Sequence, residues 1–417
     1  VKQPFNTMKT GLIFPLLYVF CLTACRSGNS NSATQTTADS LPVVQKNVIP
    51  LKYYGHLYCP VVINDSVRGN FIFDTGADNL YVDSLFLARS PLPQQQTDMA
   101  MLPGVGSSFQ KVKLIRDKYN CQYGPLTLTP PYTVTINLKP ILGKYADGII
   151  GMNFLKDSVF SIDYIKEKIH LLDPKEFSAE GYEKLPISIR KNRIYIQAAI
   201  QVTPEKKIKG EFLLDLGNGG SIDLTSHCAR ENKLAQILPE KIKTYTNWGG
   251  IGGASSSYTF RADTFYIGNQ KIIKPIAYYS NDTRGALSSK NYIGLIGNNI
   301  LNRFDLIVNI PDSSLYLRPN KNFTLPYNQT STGFSYVDRT DICNGWIVRA
   351  LYEGLPAEIA GLQINDIIIK INNKPTKDLS IDEQEKLLKN LGSPYTLTVE
   401  RGKQLLELTL EKVNPNR

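Results

Sequence analysis

A hydrophobic strand running into an aspartate and a tight glycine turn occurs twice in this 417-residue chain, and that repetition constrains the fold more than any other feature. The first copy reads Phe71-Ile72-Phe73-Asp74-Thr75-Gly76-Ala77, the second Phe212-Leu213-Leu214-Asp215-Leu216-Gly217. A tripeptide of common residues carries little weight alone. Here three further landmarks follow each copy in the same order. The first is a glycine-rich stretch, Pro103-Gly104-Val105-Gly106-Ser107 and then Gly249-Gly250-Ile251-Gly252-Gly253. The second is an apolar pair closed by glycine, at Ile149-Ile150-Gly151 and at Leu295-Ile296-Gly297. The third is a hairpin of alternating apolar residues, from Phe160 to Leu171 and from Phe304 to Leu317. The Asp turns lie 141 residues apart and the later glycines 146, a difference that one short surface-loop insertion accounts for. Ordered landmarks at a near-constant offset indicate an internal duplication.

Short runs rich in Val, Ile, Tyr and Thr, punctuated by Gly, Pro and Asn, predict a mostly β protein, and the length allows two or three domains. The formal charge of +10 raises nucleic acid as a partner, but Lys and Arg are scattered among acidic residues without a basic stripe or an aromatic platform. A solvated basic surface and no nucleic-acid partner are expected. The three histidines, His56, His170 and His227, form no ligand-type pairs, so neither a metal site nor another cofactor is expected.

Two carboxylates, each on a turn after a strand, suit a pair that shares one proton. Like-charge repulsion raises one pKa while the other stays low, giving an acid and a base in one site. The segment Phe73-Asp74-Thr75-Gly76-Ala77-Asp78 resembles the active-site turn of retropepsin-like aspartic proteases, and the segments ending at Gly151 and Gly297 resemble the second signature of each half. Two such halves in one chain is the pepsin-like arrangement, covering roughly residues 47–320. The resemblance implies catalytic Asp74 and Asp215, with active-site turns at Thr75, Gly76, Ala77, Leu216 and Gly217. It implies that the Thr75 hydroxyl braces the opposite turn, and that Gly104, Val105, Gly106, Gly250, Ile251 and Gly252 lie in substrate-binding flaps. Gly76 and Gly217 fit the need for close approach, since neither carries a Cβ. Leu216 departs from the family's Thr or Ser, so the hydroxyl brace comes from one side only.

A new pattern begins after a linker-like stretch from Pro319 to Thr330. A strand at Gly345–Leu351 leads to a short helix around Pro356-Ala357, then a strand at Ile367–Asn372, a helix at Ile381–Leu391 and strands at Tyr395–Val399 and Leu405–Leu410. The run Pro356-Ala357-x-x-Ala360-Gly361-Leu362-x-x-x-Asp366-x-Ile368 resembles the PDZ domains of bacterial proteases. Such domains bind extended peptides by adding a strand to a sheet edge. The carboxylate-binding loop is matched by Gly333, Phe334, Ser335 and Tyr336, with Ser335 at the place of the second Gly of that motif. The other use of such a domain is to pack against the body of the chain.

Near the start, Met8-Lys9, the apolar run Leu12–Leu22 and Leu22-Thr23-Ala24-Cys25 resemble a lipoprotein signal, implying a lipidated Cys25. Arg26 rather than Asp after the cysteine favours the outer membrane, facing the periplasm. The polar residues up to about 45 read as a tether. Of the remaining cysteines, Cys59 and Cys121 allow a disulfide in an oxidising compartment, while buried free thiols are the plainer expectation.

The expected organisation is a signal peptide at 1–25, a tether at 26–46, two retropepsin-like lobes at 47–178 and 179–320, and an α+β PDZ domain at 331–417 of a monomeric, lipid-anchored envelope protein. The expected function is aspartic endopeptidase action on peptides or proteins through Asp74, Asp215 and an activated water, with a PDZ peptide ligand. The alternative is a catalytically inactive peptide-binding envelope lipoprotein, which Leu216 keeps open. Dimerisation through two Asp74 turns is a third arrangement, in which Asp215 would be dispensable.

Overall fold

The computed structural model describes residues 47–103, 109–246, 254–327, 332–377 and 379–413. Mostly β structure builds a body followed by a smaller C-terminal domain. The duplicated frames fold with the same strand pairings. His56–Ile63 and Val67–Phe73 form an antiparallel hairpin that delivers Asp74, and Arg193–Thr203 with Lys206–Leu214 delivers Asp215. Gly148–Ile150 then slots between Val67–Phe73, in parallel, and Leu80–Asp83, antiparallel. Gly294–Ile296 does the same between Lys206–Leu214 and Ile222–Leu224.

Burial on both faces explains why these inserted strands are short apolar runs. Phe71, Phe73, Ile150, Phe212, Leu214 and Ile296 are fully enclosed in one continuous core. Gly148 is required by packing. A Cβ there would stand 2.2 Å from the Phe71 ring and 2.4 Å from the Tyr81 carbonyl.

The two halves join through strands that continue the sheet of the second half. Val159–Asp163 pairs antiparallel with Phe304–Asn309, and each is flanked by its hairpin partner, Lys168–Leu172 or Ser314–Pro319. Val48–Pro50 extends one edge and Glu183–Arg190 the other. This is the alternating hairpin pattern of the sequence, with its apolar face turned to the core.

The stretch expected to be a linker is in part structural. Ser314–Pro319 is a strand, and the residues after it pack on the body because buried Arg303 gathers the carbonyls of Asn322, Phe323 and Leu325 at 3.1, 3.0 and 2.6 Å. Tyr327 is buried and donates its hydroxyl to the Asn299 carbonyl at 3.1 Å.

The C-terminal domain comprises the strands Phe334–Asp338, Trp346–Tyr352, Ile367–Ile371, Tyr395–Arg401 and Gln404–Leu410, with the helices Pro356–Ile359 and Ile381–Lys389. It has its own core around Trp346, Val348, Ile368, Leu397 and Val399. A reciprocal Ser380–Glu383 capping box starts the second helix. Buried Asp366 is held by Arg401 through two bonds of 2.7 Å. The domain also shares a sheet with the body, since Trp346–Tyr352 pairs antiparallel with Ile242–Thr246.

The cysteines Cys59, Cys121, Cys228 and Cys343 are free thiols. In the ladder Cys121 lies opposite Ile63, four residues from Cys59. At roughly 3.3 Å per strand residue that offset is about 13 Å, beyond the reach of a disulfide. Among the described residues no helix is long and apolar enough to cross a membrane, and no group of His, Cys, Asp and Glu is placed to hold a metal ion. Cys25 and its flanking segments lie outside the described residues.

Candidate functional site: a paired-carboxyl junction and a C-terminal sheet edge

Asp74 and Asp215 come together at the junction of the two halves, hydrogen-bonded to each other and partly exposed. Each is placed by equivalent contacts. The Asp74 amide donates to the Ile150 carbonyl at 3.0 Å, and the Asp215 amide donates to the Ile296 carbonyl at 3.0 Å. Within the turns, Gly76 and Ala77 amides reach Asp74 Oδ1 at 2.7 and 3.2 Å, and the Gly217 amide reaches Asp215 Oδ1 at 3.0 Å.

The glycines are demanded by proximity. A Cβ on Gly217 would sit 2.2 Å from Asp74 Cγ, and one on Gly76 would sit 2.9 Å from Asp215 Oδ1. Neither distance is tolerable for a real side chain.

Thr75 is wholly buried. Its hydroxyl donates to the Leu214 carbonyl at 2.6 Å and accepts the Leu216 amide at 2.9 Å. Leu216 is equally buried, in the core cluster, and makes no reciprocal bond. The space a second hydroxyl would occupy is filled by hydrocarbon. On that side Asn298 takes up part of the bracing, donating to the Leu216 carbonyl at 2.7 Å and the Gly55 carbonyl at 3.0 Å while Tyr164 holds its Oδ1 at 2.8 Å.

The electrostatics are those of a coupled acid pair. Burial raises the Asp215 carboxyl well above its ordinary value, and the Asp74 charge and hydrogen bond push it further. Burial also raises Asp74, while the turn amides, the Asp215 hydrogen bond and the Arg193 charge pull it back. Both carboxyls are thus held above their ordinary range, Asp215 the further.

Two residues that sequence reasoning passed over cross-link the turns. Arg193 Nε donates to the Gly76 carbonyl at 2.7 Å, and His56 donates to the Gly217 carbonyl. A signal for both was available in the hairpin registers. Tyr58 faces Ile72 and Tyr195 faces Leu213, so two residues further along each ladder His56 faces Asp74 and Arg193 faces Asp215. Burial lowers His56 to about 4, with the nearby Arg349 charge acting the same way, so the imidazole is neutral at pH 7. Its Nδ1 is buried without a partner.

The flap residues Gly104, Val105, Gly106, Gly250, Ile251 and Gly252 lie outside the described residues. The strands leading to them, Thr97–Pro103 with Phe109–Ile115 and Ile242–Thr246 with Ser255–Arg261, form two antiparallel hairpins.

In the C-terminal domain Gly333 takes φ +80°, and a Cβ there would lie 3.1 Å from Leu355 Cβ. Phe334 is buried in the domain core, the ladder shifts register between Ser335 and Tyr336, and the Tyr336 ring stacks on Trp346 at 4.2 Å. The edge of Phe334–Asp338 faces the helix Ile381–Lys389 through Tyr336 and Asp338, which both bond to Gln384. At the Asp338 end this edge is occupied by the body. The Lys144 amide donates to the Asp338 carbonyl at 2.9 Å, Lys144 Nζ lies 3.3 Å from Asp338 Oδ2, and the Tyr145 hydroxyl donates to the Leu379 carbonyl at 3.2 Å.

Comparison with known families identifies a PDZ domain at residues 347–401. No curated protein matches the chain. The match covers the strands and helices from Ile347 to Arg401, and a PDZ domain implies a peptide ligand.

Proposed function

We propose that the chain is an aspartic endopeptidase in which Asp74 and Asp215 share one proton, and that its PDZ domain engages extended peptide segments. The observation that carries this reading is the hydrogen-bonded carboxyl pair on two equivalent turns at a partly exposed junction. The ionised carboxylate takes a proton from water as it attacks the scissile carbonyl carbon, and the protonated partner donates to the carbonyl oxygen. The tetrahedral intermediate then collapses with proton transfer to the leaving nitrogen. No covalent enzyme intermediate forms. Thr75, Arg193, His56 and Asn298 act as positioning residues, holding the two turns in register through their backbone carbonyls and amides.

A PDZ ligand would pair with Phe334–Asp338 from the Gly333 end, because Lys144 already holds the Asp338 end. Lipidation at Cys25 would tether this activity to the cell envelope, facing the periplasm.

The test is cleavage of a broad peptide library between pH 3 and 7 by the full chain, beside Asp74→Asn and Asp215→Asn. Activity lost in both variants supports the dyad. An Asp215→Asn variant that stays active would point instead to paired Asp74 turns from two chains. A wild type that cleaves nothing yet binds peptides would support a receptor, the reading that the one-sided brace at Leu216 keeps open.

A further inference from the structure

The two halves present different chemistry at one equivalent position beside the Asp pair. In the first half Ile72 faces Ile149, which faces Tyr81 on the next strand; in the second, Leu213 faces Leu295, which faces Asp223. Strand side chains alternate, so each of these rows lies on the face that carries Asp74 or Asp215, opposite the core residues Phe73, Leu80, Leu214 and Ile222. Asp223 therefore occupies on the second half the place of Tyr81 on the first. Tyr81 ends in a hydroxyl that donates to Asp78 Oδ1 at 3.0 Å. Asp223 ends in a carboxyl whose partner is Asn218 Nδ2, at 2.6 Å from Oδ2.

Three features separate this carboxyl from an ordinary structural one. Among the described residues no Lys, Arg or His forms an ion pair with it, although the chain carries a surplus of cations. Its donor, Asn218, directly follows Gly217 of the Asp215 turn, which fixes it beside the Asp pair. The loop above it is glycine, and a Cβ at Gly220 would lie 3.3 Å from Asp223 Oδ2, so any side chain there would crowd the carboxylate. On its flank, Tyr278 lies in register on the parallel strand Ile276–Ser280. A half-buried carboxyl without a cation is costly to hold, and a perturbed acid beside a reactive pair is a candidate binding group.

We propose that Asp223, with Asn218 and Tyr278, forms a subsite that selects a basic side chain, Lys or Arg, on the part of the substrate peptide held by the second half. The inference rests on the peptidase reading. The substrate cation supplies the charge partner that the chain itself withholds, whereas the first half fills the equivalent place with Tyr81, bonded to Asp78. Cleavage is therefore directional with respect to charge.

The test uses matched peptides that differ only in Lys or norleucine, placed in turn at each position up to four residues either side of the scissile bond. The expected result is one position at which Lys raises kcat/KM roughly thirtyfold or more over norleucine, with the ratio falling towards one in Asp223→Asn. A wild type without such a position, or an Asp223→Asn variant that keeps the ratio, overturns the proposal and leaves Asp223 as an anchor for the Asn218 turn. If no peptide is cleaved, the peptidase reading fails, and calorimetric binding of the same pairs to the full chain decides the subsite separately. Tighter Lys binding that Asp223→Asn abolishes upholds it. Equal binding of both members of the pair overturns it.

Discussion

Replacing Thr75 by Val removes a hydroxyl and almost nothing else, which makes it a sharp test of how the two turns are held. The Thr75 hydroxyl serves both the Leu214 carbonyl at 2.6 Å and the Leu216 amide at 2.9 Å, and Thr75 and Leu216 are 0% exposed, so water has no access to either partner after the change. An unsatisfied buried donor or acceptor costs about 1–3 kcal/mol, so the pair amounts to roughly 2–6 kcal/mol. Against a typical stability of ~5–15 kcal/mol that is a large loss for an isosteric change. Thr75→Ser keeps the hydroxyl and loses one buried methyl, about 1 kcal/mol. Leu216 provides no compensating hydroxyl, so the loss is not shared across the pair. The assay is urea denaturation of the full chain followed by circular dichroism, together with amide exchange in a fragment spanning 212–218. The expected order of stability is wild type, then Thr75→Ser, then Thr75→Val, with the Leu216 amide exposed to exchange only in the last. A Thr75→Val protein within about 0.5 kcal/mol of wild type, with Leu216 still protected, would refute the brace.

Three other outcomes follow from the same geometry. Under the peptidase reading kcat/KM is bell-shaped in pH: activity falls when both carboxyls are protonated and again when the shared proton is lost. Because burial and the Asp74 charge raise Asp215, the alkaline limb lies well above the ordinary carboxylate range; a plateau without an alkaline limb up to pH 9 would contradict the shared proton. Burial raises Asp223 to about 6 from 3.8, so its contribution to stability is intact below the unfolded value and is lost as pH rises through the folded one, by up to about 3 kcal/mol. The Asp223→Asn variant should therefore gain in Tm relative to wild type between pH 4.5 and 8, and a difference that does not change with pH would count against the buried carboxyl. Finally, Lys144→Ala with Tyr145→Ala removes the side-chain contacts that hold the body's loop on the PDZ edge, so C-terminal peptides should bind the full chain more tightly by fluorescence anisotropy; unchanged affinity would show that the loop does not compete.

The legible part of the molecule follows local rules. Alternating hairpins such as Val159–Asp163 with Lys168–Leu172 announce themselves because strand side chains repeat every second residue and one face must be apolar. The run from Pro356 through Gly361 to Ile368 marked out the C-terminal domain because Pro, Gly and Asp sit where its short helix and turn require them. His56 and Arg193 were missed because each acts through the carbonyl of a turn more than a hundred residues away. Asp223 was missed because a single acidic residue in a short strand has no local signature. The packing of the stretch after Pro319 was not legible because what orders it is one buried guanidinium, Arg303, contributed from elsewhere in the chain.

By itself, then, the sequence determined that two similar frames exist, each ending a buried strand in Asp and Gly, and that a PDZ-type module follows them. Covalent order and periodicity contain that much. Only the tertiary structure decided that the two carboxyls face each other at a turn where no Cβ fits, that one hydroxyl braces both turns, and that the second half sets Asp223 where the first sets Tyr81. Those outcomes depend on distances between segments remote in the chain, and on burial, which raises the pKa of an aspartate taken out of water.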